Sequence, residues 1–109
     1  MNEIYTLEDV EVMSILYPDT FHIPDAADRS AIKVGEYVKV IFKYGEPVTT
    51  MVGVIDSERI WVMVTSRKEN VSELKVEYEG TLANVPLNKM LKHGDKVSFT
   101  NNDISQVGD

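Results

Sequence analysis

The chain has 109 residues, no cysteine, and 18 acidic against 11 basic side chains, which gives a formal net charge of -7. This length suits a single domain with one hydrophobic core. The absence of cysteine excludes disulfides and thiolate chemistry and fits a reducing cytoplasm, the location that we expect. No apolar run approaches the roughly 18 residues of a membrane helix, and the acidic N-terminus is unlike a secretion signal, so we expect no membrane association.

The negative charge is concentrated near the N-terminus. Residues 1–32 carry seven acids and one base, a balance of -6, whereas the other 77 residues carry eleven acids and ten bases, a balance of -1. One interpretation is a solvated surface that aids solubility. The other is electrostatic steering toward a basic partner. Either way, the acidity disfavours contact with a phosphate backbone.

Helix signals occur in two places in this acidic third. Residues 1–16 form an acidic N-terminal helix or arm, with Thr6 as the N-cap and acids in the first turn, although the valines also fit a strand. Pro18 breaks this segment, because the residue before a proline avoids the helical region. Asp25 is then placed to cap a helix of one or two turns that extends toward Ile32.

The middle of the chain predicts an antiparallel β-hairpin. Residues 73–79 alternate strictly, with Leu74, Val76 and Tyr78 on one face and charged side chains on the other. The partner segment, residues 59–65, contains the only tryptophan and is apolar on both faces, so it should be central or covered. The polar residues 66–72 should form the connecting loop, and Gly80 should end the second strand.

Shorter segments complete the predicted fold. A strand over residues 37–43 has Val38, Val40 and Phe42 facing inward and ends at residues 45–47. Further predictions are an edge strand or hairpin arm over 48–55, a short helix from Pro86 to Leu91, a last strand over 96–100, and a tail over 101–109 that frays beyond Ile104. The fold class is therefore α+β, with a small, strongly curved antiparallel sheet or partial barrel of about five strands, an N-terminal helix and one or two short helices.

A six-residue pattern occurs twice. Residues 33–38 and 92–97 share the order Lys-x-Gly-acid-x-Val. Such a pattern predicts a glycine turn that leads into a strand whose valine faces inward, as in small curved sheets and barrels.

An ordered set of motifs covers most of residues 17–104. Its residues are Tyr17, Pro18, Thr20, Phe21, Ile23, Pro24, Gly35, Glu36, Val38, Lys39, Glu58, Arg59, Ile60, Trp61, Val62, Val64, Tyr78, Gly80, Leu82, Asn84, Pro86, Leu91, Gly94, Asp95, Val97, Phe99 and Ile104. This set resembles DUF2314, a family of bacterial domains of unknown function, and the segment Pro47–Asp56 is longer than the family pattern. The resemblance implies one bacterial cytoplasmic domain and no particular reaction.

Six residues stand out as candidate binding residues. Arg59 and Trp61 share a strand face, so the guanidinium can lie over the indole, and both residue types dominate binding hot spots. The structural alternative is that the N-terminal helix covers Trp61. Asn84 and Asp95 also fit turn positions, where their side chains bond to nearby backbone. The full set is Glu58, Arg59, Trp61, Tyr78, Asn84 and Asp95.

The sequence supplies little for catalysis, a metal or a cofactor. His22 and His93 are the only histidines and stand apart, whereas zinc needs three or four converging ligands. There is no nucleophile-elbow pattern and no glycine-rich phosphate loop. Glu77 and Glu79 fall on the wet face of their strand, which a solvated surface explains. We therefore expect no catalytic residue, no bound metal and no cofactor.

The function expected from the sequence is a non-catalytic protein-interaction module. It would bind through the Trp61 face or through the acidic arm, and an immunity protein that neutralises a basic partner is one version. The alternative is a small-barrel nucleic-acid-binding domain, which the overall acidity disfavours. Such a nucleic-acid-binding domain would use a group of cations near the loops. Those cations are Arg67, Lys68, Lys89, Lys92 and Lys96. An enzyme is the third candidate.

Overall fold

The computed structural model describes residues 4–108, which form an α+β domain built on one antiparallel sheet. Residues 4–108 form two short α-helices, six strands and a 3-10 helix just before the last strand. In chain order these elements are β1 (Tyr5–Leu7), α1 (Val10–Leu16), α2 (Ala26–Arg29), β2 (Tyr37–Thr50), β3 (Gly53–Asn70), β4 (Lys75–Leu82), β5 (Lys96–Thr100), the 3-10 helix (Asn101–Asp103) and β6 (Ile104–Val107).

The sheet curls back toward its own second strand. Strands β1 to β5 lie side by side in sequence order, and β6 leaves this path to pair with β2. β1 pairs with β2 at Phe42–Tyr44, and β6 pairs with β2 at Val38–Val40. The two short strands therefore lie end to end along the edge of β2 that faces away from β3. Since only the 3-10 helix separates β5 from β6, the chain must cross the open end of the sheet. The predicted curved antiparallel sheet is confirmed.

The core is formed by alternate side chains of the two long strands. Val38, Val40 and Phe42 of β2 are completely buried, as their strict spacing predicted. Ile60, Val62 and Val64 of β3 are equally buried. β3 lies between β2 and β4, and this confirms the central position that its apolar faces indicated.

Both long hairpins extend further than predicted. β3 continues to Asn70 and β4 begins at Lys75, so the loop predicted over residues 66–72 is wrong and the turn occupies only residues 71–74. Polar cross-strand pairs such as Lys68 and Glu77 stabilise these arms outside the core. Leu74, predicted to face inward, lies in the turn at a φ of 55° and is 87% exposed.

The hairpin between β2 and β3 corrects a second boundary. β2 passes through residues 45–47 instead of ending there, and its register shifts between Lys43 and Val48. This irregularity lets the strand accommodate Pro47, which cannot donate a ladder hydrogen bond. The chain reverses at Met51 and Val52, so the prediction of one edge strand or hairpin arm over residues 48–55 is wrong, and these residues form the tip of the hairpin between β2 and β3.

The N-terminal segment begins as a strand rather than a helix. Thr6 lies in β1, and Asp9 caps α1 because its Oδ1 accepts hydrogen bonds from the backbone N–H groups of Glu11 at 2.9 Å and Val12 at 3.2 Å. The short helix after Asp25 is confirmed as α2, but the Asp25 side chain makes no capping bond. Within residues 4–108, no helix has the length and apolar character needed to cross a membrane. Residues 1–3 of the predicted arm lie outside the described residues.

The C-terminal third differs from prediction in two ways. Residues 86–91 form bends and turns instead of the predicted helix. The tail does not fray as predicted, because residues 104–107 form β6 and pair with β2. Two further bonds fix it, from the Ser105 hydroxyl to the Lys39 carbonyl at 2.9 Å and from the Gly108 N–H to the Tyr37 carbonyl at 2.8 Å. Asp109 lies outside the described residues.

The repeated Lys-x-Gly-acid pattern forms the same turn twice. In each copy the acidic side chain accepts a hydrogen bond from the backbone N–H of the lysine, and the glycine N–H docks on a carbonyl of a core strand. The two glycines have φ values of 95° and 90°. The corresponding bonds are Lys33 to Glu36 at 2.7 Å with Gly35 to Val64 at 2.8 Å, and Lys92 to Asp95 at 2.8 Å with Gly94 to Leu82 at 2.8 Å.

Replacing Gly80 by alanine should test the close contact between β4 and β3. Gly80 lies opposite the register shift in β3, and a Cβ there would collide with the Met63 carbonyl oxygen and the Val62 side chain. Because the collision involves backbone, we expect Gly80→Ala to lower the free energy of unfolding by about 2 kcal/mol or more in urea titrations. The control Gly35→Ala meets only open space and should cost about 1 kcal/mol for its positive φ. Equal losses would contradict the close approach.

Candidate functional site

The outer side of β2 and β3 carries a group of aromatic, sulfur-containing and basic side chains. Because the valines of both strands face inward, the intervening residues face outward. The register places Tyr37 opposite Met63 and Lys39 opposite Trp61. We call the group formed by these four residues and Arg59 the tryptophan face.

Cation–aromatic contacts organise the tryptophan face. The Lys39 ammonium lies 4.7 Å from the centroid of the Trp61 ring. Arg59 instead places its guanidinium 5.5 Å from the ring of Phe21, so the predicted stacking of Arg59 on Trp61 is wrong. Register explains the difference, because Lys39 is the direct cross-strand neighbour of Trp61 while Arg59 lies opposite Ile41.

Trp61 is partly buried by β2 and by the C-terminal backbone. Lys39 lies over its ring, and a Cβ built on Gly108 would come within 3.3 Å of the indole Cζ3. Helix α1, expected as an alternative cover, packs against the 3-10 helix. The indole is therefore partly covered by the fold and partly exposed.

The tryptophan face is positively charged although the whole chain carries a net charge of -7. Lys39 and Lys43 both face outward on β2, on either side of Ile41. Arg59 of β3 lies opposite Ile41 and therefore diagonally between the two lysines. Lys43 has Glu8 at 3.8 Å, whereas Lys39 and Arg59 form no ion pair with any residue that the structure describes. Among residues 4–108, these two cations next to aromatic rings thus have no carboxylate partner.

Glu58 and Asn84 attach the segment after β4 to the tryptophan strand. The Asn84 side-chain oxygen accepts a hydrogen bond of 2.8 Å from the Trp61 N–H. The Glu58 carboxylate accepts from the Leu87 N–H at 2.7 Å and from the Tyr44 hydroxyl at 2.6 Å. Asn84 does bond to backbone, as predicted, but the bond crosses 23 residues of sequence rather than shaping a local turn. Asn84 therefore fixes the Trp61 backbone, and Glu58 fastens the following loop to the same strand.

Tyr78 and Asp95 lie away from the tryptophan face. Tyr78 is 1% exposed, which leaves no surface for a partner, and burial raises the pKa of its phenol. Its hydroxyl donates to the Arg29 carbonyl at 2.9 Å and accepts from the Arg67 guanidinium at 3.0 Å. Asp95 closes its glycine turn, in agreement with the structural alternative. Of the six candidate residues, Arg59 and Trp61 share the surface that could meet a partner.

A shallow, open groove of about 440 Å³ lies on another part of the surface, across β3, β4 and β5. Glu77 and Glu79 line it and are exposed, as the predicted wet face requires. Asp103 also lines it, but its Oδ2 accepts the Thr100 N–H at 2.8 Å and so caps the 3-10 helix. No three histidine or carboxylate side chains in residues 4–108 converge as metal ligands would. The groove therefore shows no arrangement specific to one reaction.

Sequence reasoning did not single out Tyr37, Lys39 and Met63 of the tryptophan face, nor Phe21 beside it. Lys39 could have been found, because it was expected to point outward from β2 and only the register with β3 was lacking. Phe21 carried no such signal, since its contact with Arg59 depends on how the loop between α1 and α2 crosses the sheet. The tertiary position of a loop does not follow from its composition.

Comparison of the chain with protein-family models, with curated proteins and with solved structures gives no match in any of the three. The resemblance to DUF2314 therefore stays a prediction. The motif residues nevertheless have evident structural roles, since Glu58 and Asn84 fasten a loop and Gly80 allows close strand contact.

The Tyr44–Glu58 contact gives the fold a specific sensitivity to alkali. Burial, and then the hydrogen bond and negative charge of Glu58, raise the pKa of the Tyr44 phenol above its ordinary value of 10.0. A group whose pKa is higher in the folded state stabilises the fold fully below its unfolded pKa and loses that contribution as the pH rises through the folded value. Stability should therefore fall from about pH 10 upward, and less steeply in Tyr44→Phe, as measured by urea midpoints between pH 8 and pH 11.

The matched control is Tyr17→Phe, which removes an exposed phenol and leaves the Tyr44–Glu58 contact intact. It should keep the wild-type dependence on pH. If Tyr44→Phe and Tyr17→Phe lose stability with the same slope, the Tyr44–Glu58 contact does not couple folding to pH.

Proposed function

We propose that this protein is a non-catalytic protein-interaction module of the bacterial cytoplasm that binds its partner through the tryptophan face. The observation that supports this most is the position of Trp61, partly buried on an outward row and flanked by Lys39 and Arg59. Tryptophan, tyrosine and arginine supply most hot-spot energy at protein interfaces. Tyr37, at the edge of the same face, is 44% exposed.

The rigidity of the support favours binding. β3 is hydrogen-bonded on both sides, to β2 and to β4, and the Asn84 side chain fixes the Trp61 backbone. An anchor that is already ordered loses little conformational entropy when a partner binds.

The immunity-type version, with a basic partner, relies on the acidic arm. Three acids of that arm have internal partners, since Glu8 pairs with Lys43, Asp9 caps α1, and Glu11 pairs with Arg29 at 2.9 Å. The acidity left for a basic partner comes from exposed aspartates between α1 and the end of α2, namely Asp19, Asp25 and Asp28. This version stays secondary because those aspartates lack an aromatic anchor of their own.

A nucleic-acid-binding role is the second candidate, and one observation favours it. Cations that lie against aromatic rings on a sheet surface also occur where proteins bind single strands. Against it, Arg67 of the predicted cationic group is occupied by the Ser30 carbonyl at 2.6 Å and by Tyr78. A gel shift with single-stranded RNA at low salt should show no complex, and a complex that depends on Lys39 would favour this role instead.

Photocrosslinking from the tryptophan face tests the proposed function. The photoreactive amino acid p-benzoylphenylalanine, placed at position 37, replaces an exposed tyrosine with a similar shape. We expect this variant, expressed in the cells that produce the protein, to form a discrete protein adduct on irradiation. The matched control carries the same group at position 74, where Leu74 is 87% exposed in the turn between β3 and β4. Adducts of equal yield at both positions, or none at position 37, would contradict binding through this face.

A further inference from the structure

The charge of the tryptophan face is not balanced within the fold. Lys39 and Arg59 belong to neighbouring strands and have no carboxylate within 4.0 Å among the described residues. In contrast, the buried cation of Arg29 is paired with Glu11 at 2.9 Å. The fold thus neutralises its buried arginine and leaves these two cations open to a charge from outside.

The two unpaired cations are also held in position. Lys39 lies 4.7 Å from the Trp61 ring, and the Arg59 guanidinium lies 5.5 Å from Phe21. Contact with an aromatic ring displaces water from one side of a cation and restricts its rotamers. A carboxylate that arrives from solvent therefore meets cations that have already lost part of their freedom and hydration.

Other polar side chains extend the face beyond the two cations. Gln106 of β6 is exposed and pairs with Lys39 on the side opposite Trp61. The row Gln106, Lys39 and Trp61 therefore crosses three strands, with an amide, an ammonium and an indole in succession. An extended peptide turns only every second side chain toward such a row, so it matches the row when its residues at i, i+2 and i+4 alternate between acidic and apolar side chains.

The same features argue against a nucleic acid as the ligand. A single strand is bound by open aromatic rings that stack with successive bases. Here the Lys39 ammonium lies over the Trp61 ring, so a base could stack on that side only by displacing it. The net charge of -7 and the Glu8 carboxylate beside Lys43 also repel a polyanion more strongly than a short acidic segment.

We infer that the partner of the tryptophan face is a protein that presents an acidic segment, in which carboxylates pair with Lys39 and Arg59 and an apolar side chain packs against Trp61 and Met63. This inference rests on the proposed function and names the chemistry of the partner. It also differs from the expectation of a basic partner, which followed from the net charge of the chain rather than from the charge of its aromatic surface.

The experiment uses Trp61 as the reporter, since it is the only tryptophan in the chain. Four probes are titrated at low ionic strength, namely three eight-residue peptides without aromatic residues and an oligouridylate of eight nucleotides. The peptides repeat Glu-Ser-Val-Ser, Lys-Ser-Val-Ser or Gln-Ser-Val-Ser and are called the Glu–Val, Lys–Val and Gln–Val peptides, because these two residue types share one face of the extended chain. We expect the Glu–Val peptide to change Trp61 emission in a saturable and salt-sensitive way. The Gln–Val and Lys–Val peptides and the oligouridylate should bind at least about fivefold more weakly, the ratio expected for two partly exposed ion pairs.

Two double variants assign the effect to the face. Lys39→Met with Arg59→Gln should weaken the Glu–Val peptide about fivefold. Lys89→Gln with Lys92→Gln removes the same charge from exposed positions outside the face and should leave the affinity unchanged. Calorimetry on each variant provides a readout that does not depend on the indole, and urea titrations establish that each variant is folded.

Each other outcome overturns the inference. Tighter binding of the Lys–Val peptide would make the partner basic, and tighter binding of the oligouridylate would make it a nucleic acid. Equal weakening by both double variants would reduce the effect to net charge. No response to any of the four probes would also contradict an acidic partner. Crosslinking at position 37 would then decide separately whether the face binds protein.

Discussion

The fold depends on two arginines that fasten the segment between α1 and β2 across the end of the curled sheet. Arg29 is 2% exposed and donates hydrogen bonds of 2.9 Å to the carbonyls of Pro24 and Asn101 and to the Glu11 carboxylate. Arg67 and Tyr78 hold the same segment from the sheet side. A buried charge is costly unless it is fully paired, so this network is stable only when all of its parts are in place together.

The candidate binding surface depends on this network through β6. The Asn101 carbonyl that Arg29 binds lies in the 3-10 helix, and β6 follows directly. β6 then places Gln106 beside Lys39 and leads the backbone at Gly108 along the Trp61 indole. The tryptophan face is therefore supported from behind by the core of β2 and β3 and at its edge by a strand whose position a buried cation fixes. A binding surface of this kind is preorganised by the fold and needs no conformational change.

The alternation of side chains made the centre of the sheet predictable, because burial of Val38 or Ile60 is a local consequence of strand geometry. The repeated glycine turns could likewise be read from the sequence, since each is closed within four residues. Bonds between distant residues could not. Asn84 reaches a backbone group 23 residues away, and Arg29 reaches one 72 residues away. For the site, the outward direction of Trp61 followed from the pattern, whereas the identity of its cationic neighbour required the strand register.

Hydrogen exchange of the β6 amides in an Arg29→Met variant tests most directly whether the buried arginine holds β6 against β2. The methionine keeps much of the apolar volume and removes the three hydrogen bonds. If the account is correct, the amides of residues 104–107 exchange rapidly in the variant, because β6 opens locally without global unfolding. The amides of β3 that bond to β2 and β4 stay protected until the whole domain unfolds. If β6 keeps the protection of β3 in this variant, the pairing of β6 with β2 does not depend on Arg29 and the central claim is wrong.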